Sequence, residues 1–181
     1  YTQIPAEACR KVDPHHLNLG MRYAWISSPD LIEGWDCFDV FSINNYRMCP
    51  VEEINRVAAM VNKPILVGEF HFGALDVGLP ATGLRGVPTQ ADRATAYRYY
   101  VENAAAHPSF VGAHYFTYED QFCLGRGDGE NLNIGCVDIC MTPYEDFTQG
   151  INTAHENLYP VALGRIMPSR TAAPEIPMVF S

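Results

Sequence analysis

The stretch Lys63-Pro64-Ile65-Leu66-Val67-Gly68-Glu69-Phe70-His71-Phe72-Gly73 runs from a continuous apolar triplet into one carboxylate, flanked by glycine, two phenylalanines and a histidine. Three successive apolar residues cover both faces of an extended segment, as in a parallel strand packed under helices. The C-terminal end of such a strand is where α/β barrels carry their chemistry, so Glu69 is the first candidate for a functional group.

Outward from this segment, strand-like and helix-like runs alternate. Residues 6–12 read as the end of a helix, 13–16 as a turn and 17–23 as a strand. A short helix follows over 29–35, then a strand over 38–44, a helix over 51–61 and the strand 64–70. The remainder reads as a helix over 90–106, a strand over 111–118 and a helix over 144–158, in which Phe147, Ile151, Ala154 and Leu158 keep helical spacing. Four strands, each followed by a helix, predict a parallel sheet, buried either as an open doubly wound sheet or as a closed barrel.

Side-chain alternation favours the barrel. Leu17, Leu19 and Met21 oppose Asn18, Gly20 and Arg22, and Phe41 and Ile43 oppose Ser42, Asn44 and Tyr46, so one face is apolar and the other ends in polar groups. No glycine-rich phosphate loop follows any strand, which counts against a nucleotide-binding unit. The expected fold class is therefore α/β, a (β/α)8 TIM barrel of which residues 1–164 supply about the last four βα units. Residues 165–181 are expected to form an extended, proline-rich tail.

Composition narrows the partners. The chain is 48% hydrophobic and 18% charged, with a net charge of -9. It has no apolar stretch long enough to cross a bilayer and no basic footprint for nucleic acid, and a neutral substrate fits this balance best. The chain begins at Tyr1 without a basic-then-apolar leader and is expected to be processed or part of something longer. The six cysteines lack zinc-site spacing and the acidic residues lack EF-hand spacing, so no metal and no cofactor is expected. Cys123, Cys136 and Cys140 share one long loop region, where a disulfide is one reading and buried or free thiols the other.

The ordered set Leu19-Gly20-Met21-Arg22-Tyr23-Ala24-Trp25, Ser42-Ile43-Asn44-Asn45-Tyr46, Gly68-Glu69-Phe70-His71-Phe72-Gly73-Ala74-Leu75-Asp76, 114–121 and 128–135 resembles the C-terminal half of the catalytic barrel of clan A retaining glycoside hydrolases, most closely β-agarases and agarase-like proteins. The resemblance spans about residues 10–160 and makes the strands the fifth to eighth of the barrel. It implies that Glu69 is the catalytic nucleophile and that the acid/base glutamate, which follows an asparagine after strand four, lies upstream of Tyr1. The chain alone is then expected to be inactive, with the N-terminal half of the barrel as its missing partner. The resemblance further implies an oligo- or polysaccharide substrate, polysaccharide degradation, and a secreted or periplasmic location.

A retaining mechanism requires the nucleophile to stay ionised in a partly desolvated pocket, which calls for donors or positive charge beside it. Arg22 and Tyr46 are the candidates, against a structural ion pair for Arg22. Asn44 and His71 are candidate sugar-binding groups, as is His114. Trp25, Phe72, Tyr115, Phe116 and Tyr118 are candidate platforms for the C–H faces of sugars, with core packing as the alternative for each. On the last strand His114, Phe116 and Tyr118 share one phase and Tyr115 takes the other. The clan usually has a tryptophan here, and this chain has Tyr115-Phe116. The long loops 73–89 and 121–143 are expected on the catalytic side. The reading is a retaining β-galactan hydrolase; alternatives are a β-galactosidase or β-glucanase of the same clan, or a non-catalytic carbohydrate-binding barrel.

Overall fold

The computed structural model describes residues 2–177 of the 181-residue chain, so the last four residues of the expected tail lie outside the described residues. Strands β1 (Arg22–Tyr23), β2 (Phe41–Asn44), β3 (Ile65–Phe70) and β6 (Phe110–Tyr115) form one sheet in the order β1-β2-β3-β6. Every neighbouring pair is parallel. The short strands β4 (Gly73–Ala74) and β5 (Gly86–Val87) pair separately, also in parallel. Helices α1 (Gln3–Val12), α2 (Val51–Ala58), α3 (Gln90–Ala105) and α4 (Glu145–Ala162) complete an α/β architecture.

Local sequence explains the helix ends. The Thr89 hydroxyl accepts the Asp92 N–H at 3.1 Å and caps α3, while acidic Asp92 stands in its first turn. Helix α2 opens on Glu52 and Glu53 and closes on Arg56, each complementing the helix dipole. Helices α3 and α4 pack where Gly150 meets Ala94: a Cβ added at Gly150 would lie 2.4 Å from the Ala94 Cβ, so only glycine permits this approach.

The core lies between the sheet and these helices. Phe70 stacks on Tyr100 with centroids 4.3 Å apart, and Ile65, Val67, Ile54, Val57, Tyr97 and Phe147 join it. The opposite face carries Leu66, Gly68 and Gly112, with a Cβ at Gly112 falling 3.1 Å from the Leu66 side chain.

Two expectations need correcting. Residues 17–21 are not a strand: Gly20 turns at φ +73 against Phe38, and only Arg22 and Tyr23 pair with β2. The expected helix over 29–35 is instead two 3-10 turns, Pro29–Ile32 and Trp35–Cys37, separated by left-handed Gly34. All six cysteines are free, so no bridge forms in the 123–140 region; Cys123 and Cys140 face outward while Cys136 packs against the core.

Candidate active site

Glu69 owes its direction to a break in the strand. Ile43 pairs with Val67 and Asn44 with Glu69, so β3 spends one more residue than β2, and the pairing with β6 shifts over the same stretch. Ile65 and Val67 enter the helix-side core, and so do Phe70 and Phe72, which have opposite parity. The extra residue at Gly68-Glu69 changes the phase, a β-bulge that re-aims the carboxylate away from the helices.

The surroundings suit an anion. Glu69 is 14% exposed, and Arg22 Nη1 lies 3.7 Å from its Oε1. Asn44 donates its side-chain N–H to the other carboxylate oxygen. The stem of Arg22 crosses directly over Gly68, where a Cβ would fall 2.6 Å from Arg22 Cδ, so the glycine makes room for the guanidinium. The Tyr46 phenol stands beside the same carboxylate. Burial first, then hydrogen bonding to Glu69 and its charge, hold Tyr46 far above the usual phenol range, so it stays protonated and able to donate.

Glu69, Asn44 and Tyr46 line an open cleft of about 660 Å³, with Arg22 behind the carboxylate rather than in the cleft wall. Trp25, 78% exposed, stands on its rim, and Phe116 lies within it. Loop residues 80–84, together with Leu75, Arg126, Glu130 and Leu132, form further walls. A second cavity of about 540 Å³ shares Ala24, Trp25, Asn44, Tyr46 and Leu84 with the first.

His71 also lines the cleft but is only 2% exposed. Its Nε2 accepts the Leu84 N–H at 2.9 Å, which assigns the ring proton to Nδ1. Burial, then the charges of Arg93 and Arg85, lower its pKa to about 3, and the ring is neutral. It packs edge-on to Tyr46 with centroids 4.8 Å apart. Gly83, at φ +70, passes so close that a Cβ there would lie 2.5 Å from Nε2. His71 thus anchors the 80–84 loop through Nε2 while its ring lines the cleft.

The structure brings Glu69, Arg22, Asn44, Tyr46, His71, Trp25 and Phe116 together and leaves the other four candidates outside. Phe72 is fully buried in the helix-side core. Tyr115 packs there too, its hydroxyl donating to the Phe72 carbonyl at 2.9 Å. His114 is exposed and not part of the cleft wall. Tyr118, 64% exposed, also stands outside it. The last strand thus turns Phe116, rather than Tyr115, toward the cleft.

Sequence reading missed Arg93. This fully buried guanidinium donates to the Phe72 and Gly135 carbonyls, each at 2.8 Å, and lies 4.0 Å from the Phe147 ring centroid. It ties the strand beyond Glu69 to the 120–144 loop. A charged residue on the inward stripe of α3 was the available signal. Asp128 and Asp138 serve local turns, accepting the Glu130 N–H and the Cys140 and Thr142 N–H groups, while Asp76 accepts the Gln90 N–H and Asp120 accepts from the Gly135 N–H and Tyr144. Glu130 reaches the cleft, but Arg126 at 2.9 Å and Gln121 at 2.8 Å occupy it. Among the described residues no group of three or more His, Cys, Asp or Glu is placed to hold a metal.

The arrangement defines a class: a carboxylate at the end of a parallel strand, hydrogen-bonded by an amide and charge-balanced by a guanidinium, able to attack an electrophilic carbon or take a proton in an aromatic-walled cleft. No family model matches the chain. It is similar to β-agarase B of Vibrio sp. (strain JT0107), 39% identical over 167 residues that make up 88% of this chain and 17% of that protein. It is also similar to β-agarase A of the same organism, 38% identical over 155 residues, 81% of this chain and 16% of that one. Among solved structures, an exo-β-agarase superposes with a TM-score of 0.85 at 35% identity, over 91% of this chain and 22% of the other. The chain thus spans under a fifth of the length of these curated relatives.

Proposed function

We propose that this chain supplies the nucleophile half of a retaining glycoside hydrolase that cleaves β-galactosidic linkages in agar-type galactans. The carrying observation is Glu69 itself: a bulged strand end aims it into an aromatic cleft, between Asn44 and Arg22, in a chain similar to β-agarases over most of its length. The four parallel strands are read as the last four of a clan A (β/α)8 barrel. On this reading residues 1–164 form the barrel half and 165–181 a tail, and the other half lies outside this sequence. The protein acts on a polysaccharide, not on nucleic acid, and is secreted or periplasmic. No described helix is long and apolar enough to cross a membrane.

In the first step Glu69 attacks the anomeric carbon while a second carboxylic acid, roughly 5 Å away and contributed by the other half, protonates the departing oxygen. Arg22 and Asn44 hold the Glu69 carboxylate in place. Tyr46, protonated at neutral pH, donates to the carboxylate and weakens its hold on the sugar when the bond must break. In the second step the same acid, now a base, takes a proton from water, which attacks the anomeric carbon and releases Glu69. Trp25 and Phe116 offer ring faces to the apolar sides of sugar units.

The test uses the complete polypeptide that contains this chain. Agarose should be hydrolysed in preference to β-glucans, with the β-anomer of the product appearing first by proton NMR. Glu69→Gln should lower kcat by at least about a thousandfold while oligosaccharide binding persists. First appearance of the α-anomer, or undiminished turnover by E69Q, would overturn the assignment.

A further inference from the structure

Residues beyond α4 do not leave the molecule. The Ser169 N–H donates to Glu102 Oε2 at 2.6 Å, and Asn103 donates to the Ser169 carbonyl at 2.9 Å, so α3 grips the segment at one point. Glu102 is fully buried and accepts in addition from Arg98 and Asn157, both at 2.8 Å. Ala173 packs on the hydrophobic core. Further on, Glu175 lies 3.5 Å from Arg85, and the Ile176 N–H donates to the Gly86 carbonyl at 2.8 Å in an antiparallel bridge. The segment thereby adds a third line of backbone to the β4–β5 pair. Pro168, Pro174 and Pro177 fix their own φ angles, which lowers the entropy lost in holding this path.

Within the described residues the path reaches the cleft, where Ile176, half-buried, and Pro177, exposed, share its wall with Glu69. Strand β4 begins four residues after Glu69 and pairs with β5, and Gly86 of β5 bonds Ile176, so backbone hydrogen bonds fix Ile176 relative to the carboxylate. We infer that the segment 169–177 is anchored so as to seat Ile176 and Pro177 in the wall of the substrate cleft, where they offer an apolar surface to the C–H face of a pyranose unit beyond the one that reacts. This rests on the proposed glycosidase reading. It assigns a length- and sugar-selecting role to a segment outside the barrel elements. The polar atoms of Glu69 act on the reacting unit, whereas these two side chains carry no hydrogen-bonding group and select by shape and contact alone.

The experiment measures kcat/KM for a ladder of galactan oligosaccharides with the complete polypeptide, its Ile176→Ala variant and its Ile176→Val variant. For I176A the ratio of the longest to the shortest cleaved substrate should fall about tenfold, the scale set by a few lost methylene contacts, and I176V should keep most of it. An unchanged ratio, or equal losses at every length, would overturn the inference. Should I176A fail to fold, saturation of the Ile176 methyl in the E69Q protein should transfer to sugar ring protons, and absence of transfer would equally overturn it. If the unsubstituted protein cleaves no galactan at all, the glycosidase reading fails instead, and transfer to bound oligosaccharide then decides the wall separately.

Discussion

His71 stands two residues beyond Glu69 and holds a loop of the cleft. Its buried ring accepts from the Leu84 N–H and so fixes the loop that walls the cleft. That bond requires the neutral form. The native pKa of about 3 lies below the ordinary 6.5, so between these values the unfolded chain binds a proton that the native chain does not. Stability contributed by His71 is therefore complete above about pH 6.5 and is lost as pH falls toward 3, at no more than about 1.4 kcal/mol per pH unit. In chemical unfolding, the stability difference between pH 7 and pH 5 should shrink by about 2 kcal/mol in His71→Gln, from the lost titration alone. An unaltered pH dependence would remove this role.

Among elements, the α3–α4 contact rests on a glycine. Gly150 meets Ala94 with no room for a Cβ, and Gly150→Val should cost about 1–3 kcal/mol through overpacking, read as a lower unfolding midpoint with an unchanged denaturant slope. An unmoved midpoint would contradict the packing. Helices and central strands were legible in the sequence to within a few residues, because Phe147, Ile151, Ala154 and Leu158 keep one period and Ile65-Leu66-Val67 another. The segment 17–23 misled because its alternation mimics a strand although Gly20 bends the chain. The bulge escaped a period-two reading, which sets Glu69 in phase with Val67; Gly68, an isolated glycine inside a strand pattern, was its one visible sign. Whether Tyr115 or Phe116 faced the cleft depended on packing against Phe70, Tyr97 and Phe147, which no local pattern encodes. Arg22, Asn44 and Tyr46 were legible because Arg22 falls on the polar phase at the end of one segment and Asn44 and Tyr46 on the polar phase at the end of the next.

At the scale of the whole molecule, the sheet shows two contrasting sides. Helices cover one, and the other carries Leu66, Gly68 and Gly112; Leu17, Leu19 and Met21 on the approach to β1 and Val111 within β6 stand exposed, and β1 and β6 are the outer strands among the described residues. Exposed apolar side chains beside open strand edges are what a half-barrel presents to the strands that close it. The proposal therefore joins one carboxylate on this chain to an acid on another segment. The most direct measurement treats the complete polypeptide with a 2-deoxy-2-fluoro galactoside carrying a good leaving group, then maps the trapped sugar by peptide mass spectrometry. An ester on Glu69 is expected, within the peptide that carries residues 64–73, and no label in Glu69→Gln. A sugar attached to any other residue, or stable binding with no covalent adduct, would contradict it.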